Sequence, residues 1–356
     1  MRSRFAALVL AAGALSAACA AVLGIEDITN EPPGDPDTGT GIDAEPIDGG
    51  TDTGIDTGTD AGDAGADVFV PPPPSCEGLP KNCGPAANED CCTTILVPGT
   101  QPAQQFNRGN EAGAPATVPD FRLDKYEVTV GRFRKFVAAY QQNQPAVDAG
   151  AHAGIAGSGW QNPTFNNAMP ATPAALQTAL SCGAMGVSVA QWTAAPGANE
   201  QKPMNCITWF EAFAFCVWDG GYLPTETEWN YAAAGGAEQR FYTWGNTPIP
   251  NNATHSVCGD IAILNVGSRS PTGDSKFGHA DMLGSHSEWT LDIYTAAYPN
   301  PCANCAQLQG GTQRVRRGGD LTDTCNDGAN VSTWGRRFEP PTDRRPDTGV
   351  RCARPK

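Results

Sequence analysis

PMNCITWFEAFAFCVWDGGYLPTETEWNYAAAGGAEQRFYTWG, Pro203 to Gly245, is the stretch that decides the fold. Thr208 stands at an N-cap, and Trp209, Ala212, Phe213 and Cys216 follow at i, i+3, i+4 and i+7. That spacing predicts an amphipathic helix, which the Gly220-Gly221 pair ends. Thr225 and Glu228 then have the spacing of a capping box, so a second helix starts there and stops at Gly235-Gly236. Working outward, residues 93–98 form a short apolar run that predicts a strand, and residues 121–129 predict a strand turning into a helix. In that helix Phe133, Phe136, Val137 and Tyr140 keep the core-facing spacing, and Arg132, Arg134 and Lys135 are expected on a solvated face. Residues 141–202, rich in Gln, Asn, Ala, Pro and Gly, predict a long loop-dominated insertion. Its Trp160 and Trp192 are expected to be buried against the core, a groove wall being the other reading.

Part of the 356-residue chain has no composition for folding. Residues 1–24, MRSRFAALVLAAGALSAACAAVLG, set Arg2 and Arg4 ahead of an alanine- and leucine-rich run, the layout of a secretory signal. A membrane anchor competes, but the many alanines make the run weakly apolar. Leu15-Ser16-Ala17-Ala18-Cys19 resembles a bacterial lipobox, which would make Cys19 the lipidated first residue of the mature chain. Ser16 departs from that pattern, and ordinary signal cleavage after Ala20 is the alternative. Residues 25–75 read as a disordered acidic tether of Asp, Gly, Thr and Pro: Glu26 to Asp67 holds thirteen acids and no Lys or Arg, with too little apolar surface to offset the entropy of ordering. A calcium-binding repeat would need a register of ligands with a closing Glu, which is lacking. Pro71 to Pro74 forms a stiff spacer. Of the net charge of −15, the tether carries −13 and the leader +2, leaving −4 on the rest. No basic cluster exists, which argues against a nucleic-acid partner.

Cys19 aside, twelve cysteines remain, an even number that in an exported chain argues for disulfides. Cys76, Cys83, Cys91 and Cys92 lie in residues 76–92, too short for a core without staples, and predict a small disulfide knot ahead of a domain at 93–356. Zinc is the alternative, but no His is near and finger spacing is absent. Cys302 and Cys305 form a CxxC that is expected to be structural rather than redox-active.

Five blocks carry a family resemblance: FRLDKYEVTVGRFRKFV (121–137), GGYLPTETEWNYAAAGG with FYTWGN, FGHADMLGSHSEWTLD (277–292), RVRRGGD (314–320) and TGVRCAR (348–354). In sequence and order they resemble the sulfatase-modifying factor family, the fold of the formylglycine-generating enzyme, over roughly residues 93 to 355. The resemblance implies an α+β, C-type-lectin-like fold with short strands, a few helices and much irregular chain. It implies a disulfide between Cys216 and Cys352, while a second family bridge is missing at both ends, with Ala233 at one. It also implies a structural calcium held by the side chains of Asp281 and Glu288 and the main-chain oxygens of Met282, Gly284 and His286, hard oxygen ligands on a tight loop. A plain turn with solvent-facing acids is the competing reading, and a second family calcium site has no counterpart between Asn246 and Pro271. The flanks of His279 and His286 supply no third ligand for a metal, and surface histidines are common, so neither side chain is assigned a role.

The family enzyme oxidises a substrate cysteine at copper(I) held by two thiolates, the soft ligands this ion prefers. Counted from Gly319, their places fall on Asp323 and Gly328, so copper is not expected. Cys325 is the remaining catalytic candidate, and it would need a second thiolate such as Cys302 or Cys305. The His-rich helical domain of iron-using relatives is absent. The resulting expectation is an exported, lipid-anchored, non-catalytic binding or structural module at the outer membrane, periplasm or cell surface of a bacterium. It would offer a cleft to a peptide or glycan. The alternative is a formylglycine-generating-type oxidase acting on a cysteine of a sulfatase or other protein.

Overall fold

A computed structural model describes residues 72–356 except 103, 111–112, 141–143, 185–188, 248–261, 322 and 324–330. Cys19, the leader and the tether as far as residue 71 lie outside the described residues, as do Cys258, Cys325 and Gly328.

Four short strands come first: β1 (Thr94–Val97), β2 (Phe106–Asn107), β3 (Pro115–Thr117) and β4 (Phe121–Asp124). Helix α1 (Val130–Ala139) follows, capped by the Thr129 hydroxyl, which accepts from the Arg132 N–H. The expected insertion holds two short helices, α2 (Thr164–Asn167) and α3 (Pro173–Ala179), and both Trp160 and Trp192 are buried in it. Helices α4 (Trp209–Trp218) and α5 (Glu226–Ala233) each begin with a full capping box. The Thr208 hydroxyl accepts from Glu211 N–H while the Glu211 carboxylate accepts from Thr208 N–H, and Thr225 with Glu228 repeats the arrangement. Each box satisfies two backbone donors that a helix start leaves free.

The amphipathic reading of α4 needs correction. Phe210, Glu211, Ala214 and Phe215 are buried along with the predicted face, so α4 is enclosed on all sides from Trp209 to Cys216, and only Val217 and Trp218 at its end are half-buried. Glu211 tolerates this because Arg344 reaches both of its carboxylate oxygens. Around α4 the core is aromatic: Phe215 stacks on Phe133 of α1, and Trp209, Phe213 and Trp160 pack edge to face with Phe165 or one another.

The second half supplies β5 (Ser287–Ile293), β6 (Cys302–Ala303), β7 (Arg314–Arg317), β8 (Arg336–Glu339), β9 (Thr348–Gly349) and β10 (Ala353–Pro355). Three small sheets result, with orders β1-β4-β10, β2-β3-β6 and β8-β7-β5-β9. The last is antiparallel except for the β5–β9 pair, which sets Ser287 beside Thr348. The mixed α and β content, short strands and long irregular stretches agree with the fold class expected from sequence.

Among the described residues five disulfides close: Cys76–Cys92, Cys83–Cys91, Cys182–Cys206, Cys216–Cys352 and Cys302–Cys305. The knot at 76–92 is thus stapled by two nested bridges. It is also part of the domain, since Cys83 and Cys91 pack against Tyr126, Val266 and Ala280.

Candidate functional site

Strand β7 ends and β8 begins beside the start of α5, and Arg317 and Arg336, paired across the two strands, converge there. Glu226, at the first turn of α5, faces Arg317 Nε at 2.9 Å and takes Arg336 Nε at 2.6 Å and Nη2 at 2.9 Å. Two arginines on one buried carboxylate need further partners, and two tyrosines supply them. The Arg336 guanidinium lies 4.2 Å from the Tyr298 ring centre and 4.8 Å from that of Tyr294, and Arg317 Nη2 donates to the Tyr298 hydroxyl. Arg108 covers Tyr298 at 5.0 Å. Tyr294 in turn stacks on Phe338, with ring centres 3.8 Å apart, and Phe338 is 37% exposed. The result is an arginine–tyrosine stack whose outer edge is an aromatic ring in water.

Behind it, Asp292 accepts the Glu226 N–H and the Gln307 N–H, one on each carboxylate oxygen. Burial, and then the neighbouring Glu226 charge, push its carboxyl up to about 7 despite those two bonds.

The turn after β7 carries the positions at which the family resemblance places copper ligands. The Asp323 carboxylate accepts the Asp320 N–H, and Arg337 forms ion pairs with both Asp320 and Asp323. An ion-paired carboxylate is a hard donor already neutralised, so the residue present does not fit copper(I). Cys302 and Cys305, the sequence candidates for a second thiolate beside Cys325, are bonded to each other and so do not serve as one.

The loop of Asp281, Met282, Gly284, His286 and Glu288 wraps the end of β7. The Gly284 N–H donates to Gly318 O, and a side chain on Gly318 would meet Met282 O at 2.9 Å and His286 O at 3.5 Å. Gly318 therefore lets these two carbonyls approach. Glu288 does not join them as a free ligand: Arg351 contacts both its oxygens through Nε and Nη2, and Trp229 Nε1 donates to Oε2. The plain solvent-facing turn fails as well, since Glu288 is fully buried and Asp281 is partly so. Asp281 accepts one bond, from Gly267 N–H, and burial followed by the Glu127 charge pushes its carboxyl up to about 7.

Glu127, which sequence reasoning passed over, is fully buried with neither oxygen hydrogen-bonded among the described residues; His286 Nδ1 stands 3.7 Å from Oε1. The donor set fits a cation in part: Glu127 leaves two buried oxygens unsatisfied, Asp281 accepts only from Gly267 N–H, and Glu288 is committed to Arg351. No cluster of three His, Cys, Asp or Glu side chains with metal-binding geometry occurs among the described residues. The two histidines without an assigned role are both buried, His279 against Ser275 and His286 against Asn205. Tyr126 and Val128 flank Glu127, and an acid in an apolar strand exit was the signal that could have marked it.

Comparison with known proteins adds identity to this geometry. The sulfatase-modifying factor enzyme 1-like domain matches residues 80–356. The formylglycine-generating enzyme of Bos taurus is 26% identical over 244 residues, 63% of this chain and 63% of that enzyme. The inactive C-alpha-formylglycine-generating enzyme 2 of Mus musculus is 32% identical over 176 residues, 45% of this chain and 53% of that protein. The chain thus spans less than two thirds of the length of these curated relatives. Among solved structures, PvdO from Pseudomonas aeruginosa covers 81% of this chain and 100% of its own, at 17% identity and a TM-score of 0.49.

Proposed function

The chain belongs to the sulfatase-modifying factor family, and from that premise we propose a non-catalytic binding module of the bacterial cell envelope. The observation that carries this reading is the Arg337–Asp323 ion pair, which neutralises the carboxylate at the position where the family resemblance puts the first thiolate. With Cys302 and Cys305 closed on each other, neither is free to complete a thiolate pair with Cys325. Family membership is neutral on activity, because relatives include an enzyme and a protein named inactive.

The ligand proposed is a peptide or glycan on the arginine–tyrosine stack. Phe338 and Tyr294 offer π surface, and Arg336 brings a charged donor alongside. Export and a lipid anchor at Cys19 are supported by the leader sequence, and five disulfides suit an oxidising compartment. Calcium is proposed beside Asp281, with the carbonyls of Met282, Gly284 and His286 as further oxygen donors.

The deciding experiment gives the full chain copper(I) and, aerobically, a Cys-x-Pro-x-Arg peptide, read by metal binding and mass spectrometry. The expected result is no tight copper binding and an intact peptide. A formylglycine product would establish the oxidase alternative and show that Cys325 has found a second thiolate.

A further inference from the structure

We propose that the pocket between α4 and the β5–β7 pair, walled by Trp209, Phe213, Leu291, Ile293 and Arg314, takes the carboxylate of a small apolar acid. This is independent of the ligand proposed for the arginine–tyrosine stack. The pocket holds about 180 Å³, with Phe165 closing one wall and Gln161 among its lining. An apolar cavity of about 150 Å³ is enough for a benzene ring.

Polar groups, Ser158, Gln161 and Arg314 among them, line the pocket beside its apolar wall, and Arg314 gives it a cation. Its guanidinium lies 3.7 Å from the Trp209 ring centre, and Nη1 donates to Leu291 O at 2.6 Å. No acid lies within ion-pair distance of it among the described residues. By contrast Arg132, Arg316, Arg317, Arg351 and Arg354 each have a carboxylate partner. The acid whose charge reaches Arg314 is Asp292, but both of its oxygens are taken by the N–H groups of Glu226 and Gln307. Arg314 is half-buried, and burial pulls it down to about 10, the response of a cation partly stripped of water without an ion-paired acid. A ligand carboxylate would supply that counterion through charge-assisted hydrogen bonds, while its apolar part lies against Phe165 and the half-buried Leu308. A free acid and the carboxyl-terminal residue of a peptide share this chemistry.

Calorimetric titration of the full chain with benzoate and with N-acetylvaline, each against its uncharged amide, separates the outcomes. Saturable binding of an acid, at least tenfold tighter than its amide, is expected, and Arg314→Gln should abolish the difference. Benzoate binding identifies free acids as sufficient, whereas binding of N-acetylvaline alone identifies peptide termini. Acids and amides that bind alike, or two acids that fail to bind at millimolar concentration, would overturn the proposal. The acid–amide comparison on the wild-type chain decides even if the variant unfolds.

Discussion

Asp281 and Glu127 bring two carboxyl groups close to each other, and Arg351, the cation whose charge reaches Asp281 among the described residues, is fastened to Glu288. Residues so placed repel unless something positive is added, which is the physical ground for proposing calcium there. Asp281→Asn tests it with two arms. In chelator at neutral pH the variant should be as stable as wild type or more so, because one repelled charge is gone. With calcium at a hundred times its dissociation constant, wild type should gain about 2.7 kcal/mol by mass action and the variant little or nothing. Thermal unfolding with and without calcium reads both arms, and equal calcium responses would remove Asp281 from any cation site.

Helix α4 owes its position to one covalent tie as much as to its aromatic packing. Cys216, near its C-terminal end, is bonded to Cys352 just before β10, at a sequence separation of 136. Cys216→Ser should cost about 2–5 kcal/mol, as loss of a native bridge does. Cys352→Ser should cost the same, and the double variant no more than either, since the two sulfurs act as one unit. Urea unfolding of the three variants checks this; additive losses would mean that packing at each site, not the bridge, is being measured. The helices were legible because caps and apolar spacing are local: Thr208, Thr225 and the paired glycines mark α4 and α5 within a residue or two. Strand β5 was not, because all seven residues of SEWTLDI are buried and no alternation survives. Asp323, where the family resemblance puts the first thiolate, could be reached by counting from Gly319 in the sequence alone. The arginine–tyrosine stack could not, because Arg108, Glu226, Tyr294, Tyr298 and Arg336 come from separate segments and meet through sheet registers that no local pattern encodes.

At the scale of the molecule, the knot, two sheet strands and two helices are joined by one buried ionic square. Arg132 of α1 donates to Asp124 of β4 at 2.8 Å, to Asp219 after α4 at 2.6 Å, and to the Ser75 hydroxyl at 3.0 Å. Arg354 of β10 reaches the same two acids, and Ser75 N–H donates to Asp219. Sequence reasoning placed Arg132 on a solvated face; its side chain is fully buried. The spacing held the clue, for Arg132 stands four residues before Phe136 and so shares the apolar stripe. The two readings differ sharply in energy. A solvated arginine replaced by Met should change stability by no more than about 0.5 kcal/mol. Removing one partner of a buried pair should cost about 3–5 kcal/mol, because two acids are left with one cation. The pH dependence has a definite sign. Burial works against the Asp124 charge, but Arg132 and then Arg354 outweigh it and hold the carboxyl below the usual range. Its contribution is therefore present above the unfolded-state value near 3.9 and is lost as pH falls through the folded-state value. In Arg132→Met one acid can take up a proton to relieve the imbalance, so the deficit against wild type should be largest at pH 7 and shrink toward pH 4. Urea unfolding at both pH values measures it. A deficit under about 0.5 kcal/mol at pH 7, or one that does not change with pH, would mean that the square does not join the knot to the domain.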